Sequence, residues 1–291
     1  MGLIMLFLPL AAAAWLILIA TGLHRRLPPM LAARVVAASL IVVAVAALPS
    51  MWVIGVSYLA HLPFVGVGFQ WCAMAFGFHK DLPMLLALPA LVLSAIGGWR
   101  AVRVLRLDRS LRIDVSGAIA YVDSHEPFAA TIPGRGGQIV ISTGLLALVD
   151  DRELAVVIAH EEAHAIHRHD RYLLCARLIS AALPFLQPIT RRLHFALERW
   201  ADESAASRCA DRELVAHTLA KIALHEPTPA LALGFAGLGV TGRVEVLLTP
   251  VRPRIGRGII GAIWLTTAIA GGLALLQLHH LGRLIAALCP T

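Results

Sequence analysis

The chain has 291 residues, of which 58% are hydrophobic and 15% are charged, and its formal net charge is +7. Soluble globular proteins are about 45–50% apolar and about 25% charged, so this composition excludes an ordinary soluble enzyme and a disordered chain. The four cysteines form no Cys-x-x-Cys pair, which excludes a disulfide framework and a thiolate zinc site. The basic residues flank apolar runs, as at the cytoplasmic face of a membrane, so we expect a lipid bilayer and no nucleic acid as a partner.

Four apolar stretches are long enough to cross a bilayer, which takes about 20 mostly apolar residues. They are, in chain order, Leu3 to Leu23, Leu31 to about Val56, Leu82 to Trp99 and Gly258 to Leu278. The first has no basic residue ahead of it and is longer than the apolar core of a signal peptide, about 7–15 residues, so we interpret it as a retained helix. The aromatic-rich stretch from Met51 to Phe78 suits an interfacial loop better than a further span.

Two arginine clusters set the predicted topology. One contains Arg25, Arg26 and Arg34, and the other contains Arg100, Arg103, Arg106, Arg109 and Arg112. If both are cytoplasmic, two spans separate them and the amino terminus lies outside. Residues 1–103 then form a membrane region with three helices, 104–257 a cytoplasmic domain, and 258–291 a last membrane helix with a short tail. The preference for arginine over lysine indicates a bacterial source, so we expect a multi-pass protein of the bacterial inner (plasma) membrane.

The cytoplasmic domain is predicted to be mostly helical, with little strand. Residues 112–122 alternate weakly and are expected to begin a strand, and Gln138 to Thr143 is expected to be a second one, after the glycine-rich turn at 133–137. Asp150 or Asp151 caps a helix that runs to about His169, and Glu153 is placed for a capping box with Asp150. A helix capped by Asp211 is expected to run to about Leu224.

Between these elements, the apolar stretch from Tyr172 to Pro188 is interrupted by Arg177, Pro184 and Pro188. We expect it either to enter the bilayer or to pack on the membrane surface. Arg177 is expected to extend its charged end toward water, with substrate contact as the alternative. A polar helix from about Ile189 to Cys209 follows.

The sequence HEEAH carries the clearest chemical signal of the chain. His160 and His164 lie four residues apart, so on a helix both imidazoles share a face and can bind one zinc ion. Glu161 lies beside them, where it can take a proton from a water whose pKa zinc lowers to about 7. The preceding residues, Leu154 to Ala159, are too apolar for an exposed helix, and unpaired histidines at its end would be costly.

A catalytic zinc ion takes three protein ligands, so HEEAH requires a third. Asp170 lies at the last position of an extended HExxHxxGxxD pattern, but His167 occupies the glycine position that permits the chain to turn back. Glu198 lies on the later polar helix, with Asp202 one turn further on, where it can accept a hydrogen bond from the second nitrogen of a ligand histidine. Asp170 and Glu198 therefore remain alternative candidates for the third zinc ligand. His194 shares this face and is either a donor to a developing oxyanion or a side chain that supports a ligand from behind or is merely exposed.

HEEAH, followed by ERWADESA after a hydrophobic stretch, resembles the membrane metallopeptidases of the gluzincin type. Two groups share this pattern, the BlaR/MecR-type signal-transducing peptidases and the HtpX and CAAX prenyl proteases. The glycine-rich turn, the strand after it and Gly242-Arg243-Val244 resemble them too, so the resemblance covers about Phe128 to Pro250. It implies a mainly α membrane protein with about four transmembrane helices and a cytoplasmic α+β metallopeptidase domain that carries a short edge sheet.

The resemblance also implies roles for individual residues. His160, His164 and Glu198 would bind one Zn2+, Glu161 would be the catalytic base, and Asp202 would support a ligand from outside. His194 is carried as a second catalytic candidate. An extended substrate would pair with an edge strand made of Gln138, Ile139, Val140, Ile141 and Ser142.

The run after HEEAH departs from the BlaR/MecR pattern. In that pattern Arg and Asp follow the second metal histidine at set offsets, and here His167, Arg168, His169 and Asp170 are shifted by one residue. We expect His167 and His169 to be solvated or to face the helix dipole. No penicillin-binding domain follows the last span, so we expect no sensing of β-lactams by that route.

The sequence therefore predicts an integral-membrane zinc endopeptidase that cleaves a protein at the cytoplasmic face. By resemblance to the BlaR/MecR group, the substrate is a transcriptional repressor and the cleavage is regulatory. Quality control of membrane proteins, as in HtpX, is the alternative. A rival from another class is a non-catalytic membrane signalling protein, which would have no need of Glu161.

Overall fold

The computed structural model describes residues 3–23, 26–59, 84–111, 119–132, 137–225, 236–249 and 256–288. These residues form a mostly helical protein with one small sheet. The strands are β1 (Ile119–Val122), β2 (Ala129–Ile132) and β3 (Gln138–Ser142). The helices are α1 (Leu3–Leu23), α2 (Pro29–Leu59), α3 (Met84–Leu111), α4 (Thr143–Leu148), α5 (Asp151–Ile166), α6 (His169–Ala182), α7 (Gln187–Cys209), α8 (Arg212–His225), α9 (Ala236–Leu248) and α10 (Arg257–Leu288).

Three described helices are long and apolar enough to cross a membrane. The apolar stretches are Pro29–Trp52 on α2, Leu88–Ser110 on α3 and Gly258–His280 on α10. They coincide with three of the four predicted spans. On α1 the shorter stretch Leu8–Ile19 is apolar, so a count of four spans stays a prediction. Of the predicted interfacial loop at 51–78, residues 51–59 instead continue helix α2, and residues 60–78 lie outside the described residues, as do Arg25 and Arg112.

The third membrane helix is longer than the sequence predicts. It continues past Trp99 to Leu111, because the arginines beyond that point alternate with Ala, Val and Leu and no glycine or proline interrupts them. Arg100, Arg103 and Arg106 therefore lie on the same helix as the apolar residues before them.

The largest buried cluster joins the predicted membrane region to the predicted peptidase domain. Leu40 of α2, Leu193 and Leu197 of α7, and Leu183 between α6 and α7 all belong to it. Within the apolar windows, 67% is buried on α2, against 6% on α3 and 22% on α10. Helix α2 is therefore the most buried of these three apolar helices, and α7 packs directly on it. The predicted division of the chain at residues 103 and 257 stays a prediction.

The segment from Tyr172 to Pro188 folds as an elbow. Helix α6 ends at Ala182, a 3₁₀ turn spans Pro184–Leu186, and α7 then begins. Leu186 is buried in the cluster with α2, while a Cβ on Gly97 of α3 would lie 2.8 Å from the Ala182 carbonyl oxygen. The elbow therefore packs beside the apolar parts of two membrane helices.

Arg177 contacts α3 from within this elbow. Its Nη2 lies 3.3 Å from Oδ1 of Asp108, whose side chain is buried. A buried carboxylate needs such a partner. The pair therefore links α6 to α3 and gives Arg177 a structural role.

The sheet corrects one prediction about the substrate strand. The strand order is β1-β3-β2, and β3 pairs parallel with β1 and antiparallel with β2. The prediction that Gln138 to Ser142 forms an edge is therefore wrong, since both sides of β3 are occupied. Ile139, Val140 and Ile141 are all buried, which is typical of a central strand. The neighbours on each side are only four residues long and left a weak signal in the sequence.

The close approach of Gly97 to the elbow predicts how two neighbouring substitutions differ. Gly97→Ala forces α3 and the end of α6 apart, and such overpacking costs about 1–3 kcal/mol. We expect thermal unfolding of the detergent-purified protein at a lower temperature. Gly98→Ala is the matched control, because no other described segment comes within 4 Å of its added Cβ. Equal unfolding temperatures for the two variants would contradict this packing.

Candidate metal centre

Helix α5 is fixed at its start by the predicted capping box. The Glu153 N–H donates to Oδ1 of Asp150 (2.8 Å), and the Asp150 N–H donates to Oε2 of Glu153 (3.0 Å). Val157 packs into a cluster with Ile139 and Ile141 of β3, so one face of α5 rests on the sheet. The HEEAH motif follows about two turns later on this anchored helix.

Three side chains from two helices converge at HEEAH. Nε2 of His160 lies 3.2 Å from Nε2 of His164, and each lies 3.6 Å from one carboxylate oxygen of Glu198 on α7. Ligands about 2.0–2.1 Å from a tetrahedral zinc ion lie about 3.3 Å from one another. Two imidazoles and one carboxylate are also the chemistry that zinc accepts in a catalytic site. The donor set and its spacing fit one zinc ion.

Asp170, the other candidate third ligand, does not belong to this group. Among the described residues, the cluster that could hold a metal ion consists of His160, His164 and Glu198. Helix α5 ends at Ile166, three residues before the predicted end, and Arg168 adopts a left-handed conformation (φ 53°) that starts α6 in a new direction. Asp170 therefore begins a separate helix.

Arg243 of α9 neutralises the carboxylates on α7. Its Nε and Nη2 each donate to Asp202 at 2.7 Å, and its Nη1 lies 2.9 Å from Oε2 of Glu198. Nδ1 of His160 lies 3.1 Å from Oδ1 of Asp202, the contact that the sequence predicts for a carboxylate behind a ligand histidine. Sequence reasoning gave Arg243 no such role, since it lies 41 positions after Asp202 and no short motif joins them.

The charges around this centre support one another. Burial alone would raise the pKa of Glu198 and Asp202, but His160 and Arg243 hold both below their usual range. Burial lowers the pKa of His160, yet its hydrogen bonds to Asp202 and Glu198 prevail and raise it to about 9. Burial and the neighbouring charge of His160 lower the pKa of His164. The two carboxylates therefore favour the protonated form of His160.

Glu161 is held from the sheet. The Thr131 hydroxyl on β2 lies 2.8 Å from Oε2 of Glu161 and 2.9 Å from the Glu161 carbonyl oxygen, so it can donate to either. This contact joins β2 to α5 within the HEEAH motif. Thr131 carries no recognisable signal in the sequence, because the contact depends on how the sheet packs.

The other predicted residues lie further from the centre. His194 lies one turn before Glu198 on α7 and is largely open to solvent, although partial burial of its ring lowers its pKa; its catalytic role stays a prediction. The Ser142 hydroxyl accepts from the backbone N–H groups of Phe128 and Leu145, which joins β2 and caps α4. Ile139 and Ile141 are buried under α5. These strand residues support the sheet.

His169 is buried and touches a member of the cluster, so of the two expected roles, solvated or facing the helix dipole, the first is wrong for this residue. Its Nδ1 lies 2.9 Å from Nδ1 of His164, and burial lowers its pKa to about 3. His167 is only partly shielded and stacks on Trp200, with ring centroids 4.5 Å apart. The left-handed turn at Arg168 lies between the two histidines, which is why His169 is buried while His167 is only partly shielded.

Comparison with known proteins points to one family. Residues 103–191 match the family model described as peptidase family M48. No curated protein and no solved structure shows a significant match to the chain. The matched stretch contains HEEAH and supports the M48 metallopeptidase family, without singling out the BlaR/MecR type. With the three long apolar helices, it indicates a membrane metallopeptidase.

Proposed function

We propose that the chain is an integral-membrane zinc endopeptidase that cleaves a protein substrate at the cytoplasmic face of a bacterial inner membrane. The observation that carries the proposal is the convergence of His160, His164 and Glu198 beside Glu161. The match to peptidase family M48 supports the same reaction class independently of this geometry.

His160, His164 and Glu198 would hold the ion. Zinc in such a site supplies Lewis acidity and a water of lowered pKa. Asp202 accepts a hydrogen bond from Nδ1 of His160, which would leave Nε2 of that ring to bind the ion. Arg243 fixes Asp202 and Glu198 relative to each other, because its positive charge offsets the repulsion between the two carboxylates.

Glu161 would move the protons of the reaction. Its carboxylate takes a proton from the attacking water and returns it to the leaving amine of the cleaved peptide. The Thr131 hydroxyl restricts the rotation of this carboxylate by its hydrogen bond to Oε2. A non-catalytic signalling protein would have no use for a base held in this way.

The cytoplasmic orientation is supported by the position of Arg34. Its guanidinium lies 5.6 Å from the centroid of the Trp200 ring, and Trp200 lies on α7 between Glu198 and Asp202. The metal centre is therefore level with the basic, amino-terminal end of α2. Basic residues at the end of a membrane helix mark the cytoplasmic side.

The edge that receives the substrate is proposed to be β2. The Ser142 N–H donates to the Phe128 carbonyl at 3.0 Å, so residues 128, 130 and 132 are those that bond to β3. The backbone groups of Ala129 and Thr131 then point away from β3, where the described residues provide no strand partner. Since Thr131 also holds Glu161, a peptide added at this edge would lie beside the catalytic base.

Two substrate classes follow from the resemblance, a transcriptional repressor and a membrane protein undergoing quality control. Cleavage creates new peptide ends, and those that appear with the wild-type chain but not with a Glu161 variant identify the substrate class. Ends within a soluble DNA-binding protein support regulatory proteolysis, and ends within membrane proteins support quality control.

Glu161→Gln is expected to retain zinc and to abolish cleavage, because the amide cannot accept the water proton. Loss of a general base costs typically 10²–10⁴-fold in rate. The rate is measured as cleavage of a reduced, alkylated and fluorescently labelled protein substrate. Glu162→Gln is the matched control, since Glu162 pairs with Arg208 on the surface. Undiminished cleavage by Glu161→Gln would contradict the mechanism and favour another base.

Ala129→Pro is expected to weaken substrate binding at β2. It removes one N–H from the free edge while leaving the bonds to β3, and one hydrogen bond of about 1–1.5 kcal/mol corresponds to about a tenfold lower kcat/KM. Ala129→Ser keeps the N–H at nearly the same size and serves as the control. Equal kcat/KM values for the two variants would show that the substrate does not pair with β2.

A further inference from the structure

We propose that His169 positions the zinc ligand His164 by accepting a hydrogen bond from Nδ1 of its ring. The inference rests on the proposed zinc site and adds a residue behind it. It assigns the two histidines of HEEAH different supports, Asp202 for His160 and His169 for His164.

The geometry of the two rings is that of a directed contact. Their Nδ1 atoms are 2.9 Å apart, the ring centroids 4.7 Å, and the ring planes are nearly perpendicular at 87°. Nε2 of His164 faces His160 and Glu198, which leaves Nδ1 as the nitrogen free to point elsewhere. A neutral imidazole that offers Nε2 to an ion carries its proton on Nδ1. That proton points at Nδ1 of His169, which must therefore be the acceptor.

His169 then carries its own proton on Nε2. This atom is buried and has no hydrogen-bond partner among the described residues. A buried donor without a partner is unfavourable, so an apolar side chain would suit this position better if only packing mattered. The contact with His164 supplies the reason for an imidazole.

The chain is bent to bring His169 to this place. Arg168 adopts φ 53° and ψ 48°, a left-handed conformation that non-glycine residues rarely hold. The turn lets α6 begin directly after α5, so that His169 lies against the residue five positions earlier. Strain of this kind persists where the surrounding structure fixes it, commonly at functional sites.

Aromatic rings also pack against His169. The Trp200 ring centroid lies 4.9 Å away and the Tyr172 centroid 6.4 Å away. Trp200 lies on the same helix as Glu198. Helix α7 therefore supplies the candidate ligand Glu198 and also the ring that packs against His169, which in turn contacts the ligand His164. The orientation of His169 is therefore set by the same helix pair that forms the metal centre.

The uncharged partner suits this position. His160 already has a carboxylate behind it, and Glu198 and Asp202 share one guanidinium, that of Arg243. A further carboxylate behind His164 would add a negative charge to a partly buried centre. A neutral imidazole orients the ring without adding that charge.

The test is the zinc affinity of the detergent-purified full chain, measured by competition with a chromophoric chelator. His169→Leu removes the acceptor, and we expect zinc affinity to fall about 10–100-fold, as when partners of ligand histidines are removed. His169→Asn places its amide oxygen near the position of Nδ1 and is expected to restore most of the affinity. His169→Gln places its amide near Nε2 and is expected to bind as weakly as His169→Leu.

His167→Leu is the matched control, because His167 packs on the same Trp200 ring and beside His169, while the described ring contacts and hydrogen bonds of His164 go to His160 and His169. It is expected to keep the wild-type affinity. Wild-type affinity in His169→Leu, or equal affinities in the Asn and Gln variants, would overturn the inference while leaving the proposed function intact. The Asn and Gln pair decides the question even if the leucine variant fails to fold. A wild-type chain that binds no zinc would overturn the proposed function and this inference together.

Discussion

Glu198 and Asp202 lie one turn apart on α7 and face His160 of α5, so two negative charges are held in a partly closed region of the protein. Charges in such a place are tolerated only when they are paired and hydrogen-bonded. Arg243 supplies the pairing from α9, with contacts of 2.7–2.9 Å to both carboxylates. The centre therefore requires three helices from separate parts of the chain, and each must be supported from behind.

The membrane helices provide part of that support. Helix α7 packs on α2 through Leu193 and Leu197, and Arg34 of α2 lies over Trp200, between Glu198 and Asp202 in sequence. The sheet supports α5 from the opposite side, through Val157 and through the contact of Thr131 with Glu161. The metal centre thus lies between a membrane helix and a small sheet, and its geometry depends on both.

Local signals in the sequence were sufficient for the helices that carry the centre. The capping box at Asp150, the spacing of HEEAH and the interval between Glu198 and Asp202 all predict structure within a few turns of one helix, and α5 and α7 confirm those elements. The order of the strands, the position of Thr131 and the reach of Arg243 depend on contacts between distant segments. His169 was misjudged because its place follows from a left-handed arginine, which no residue preference indicates.

The zinc content of the detergent-purified protein tests the central claim most directly, for the wild type beside Glu198→Ala and Asp170→Ala. The account predicts about one zinc ion per chain in the wild type and in Asp170→Ala, and loss of that ion in Glu198→Ala, because a catalytic site needs three protein ligands. Loss in Asp170→Ala with retention in Glu198→Ala would contradict the assignment of the third ligand. A wild type without zinc, under conditions that load known zinc proteins, would contradict the metallopeptidase itself and favour the signalling alternative.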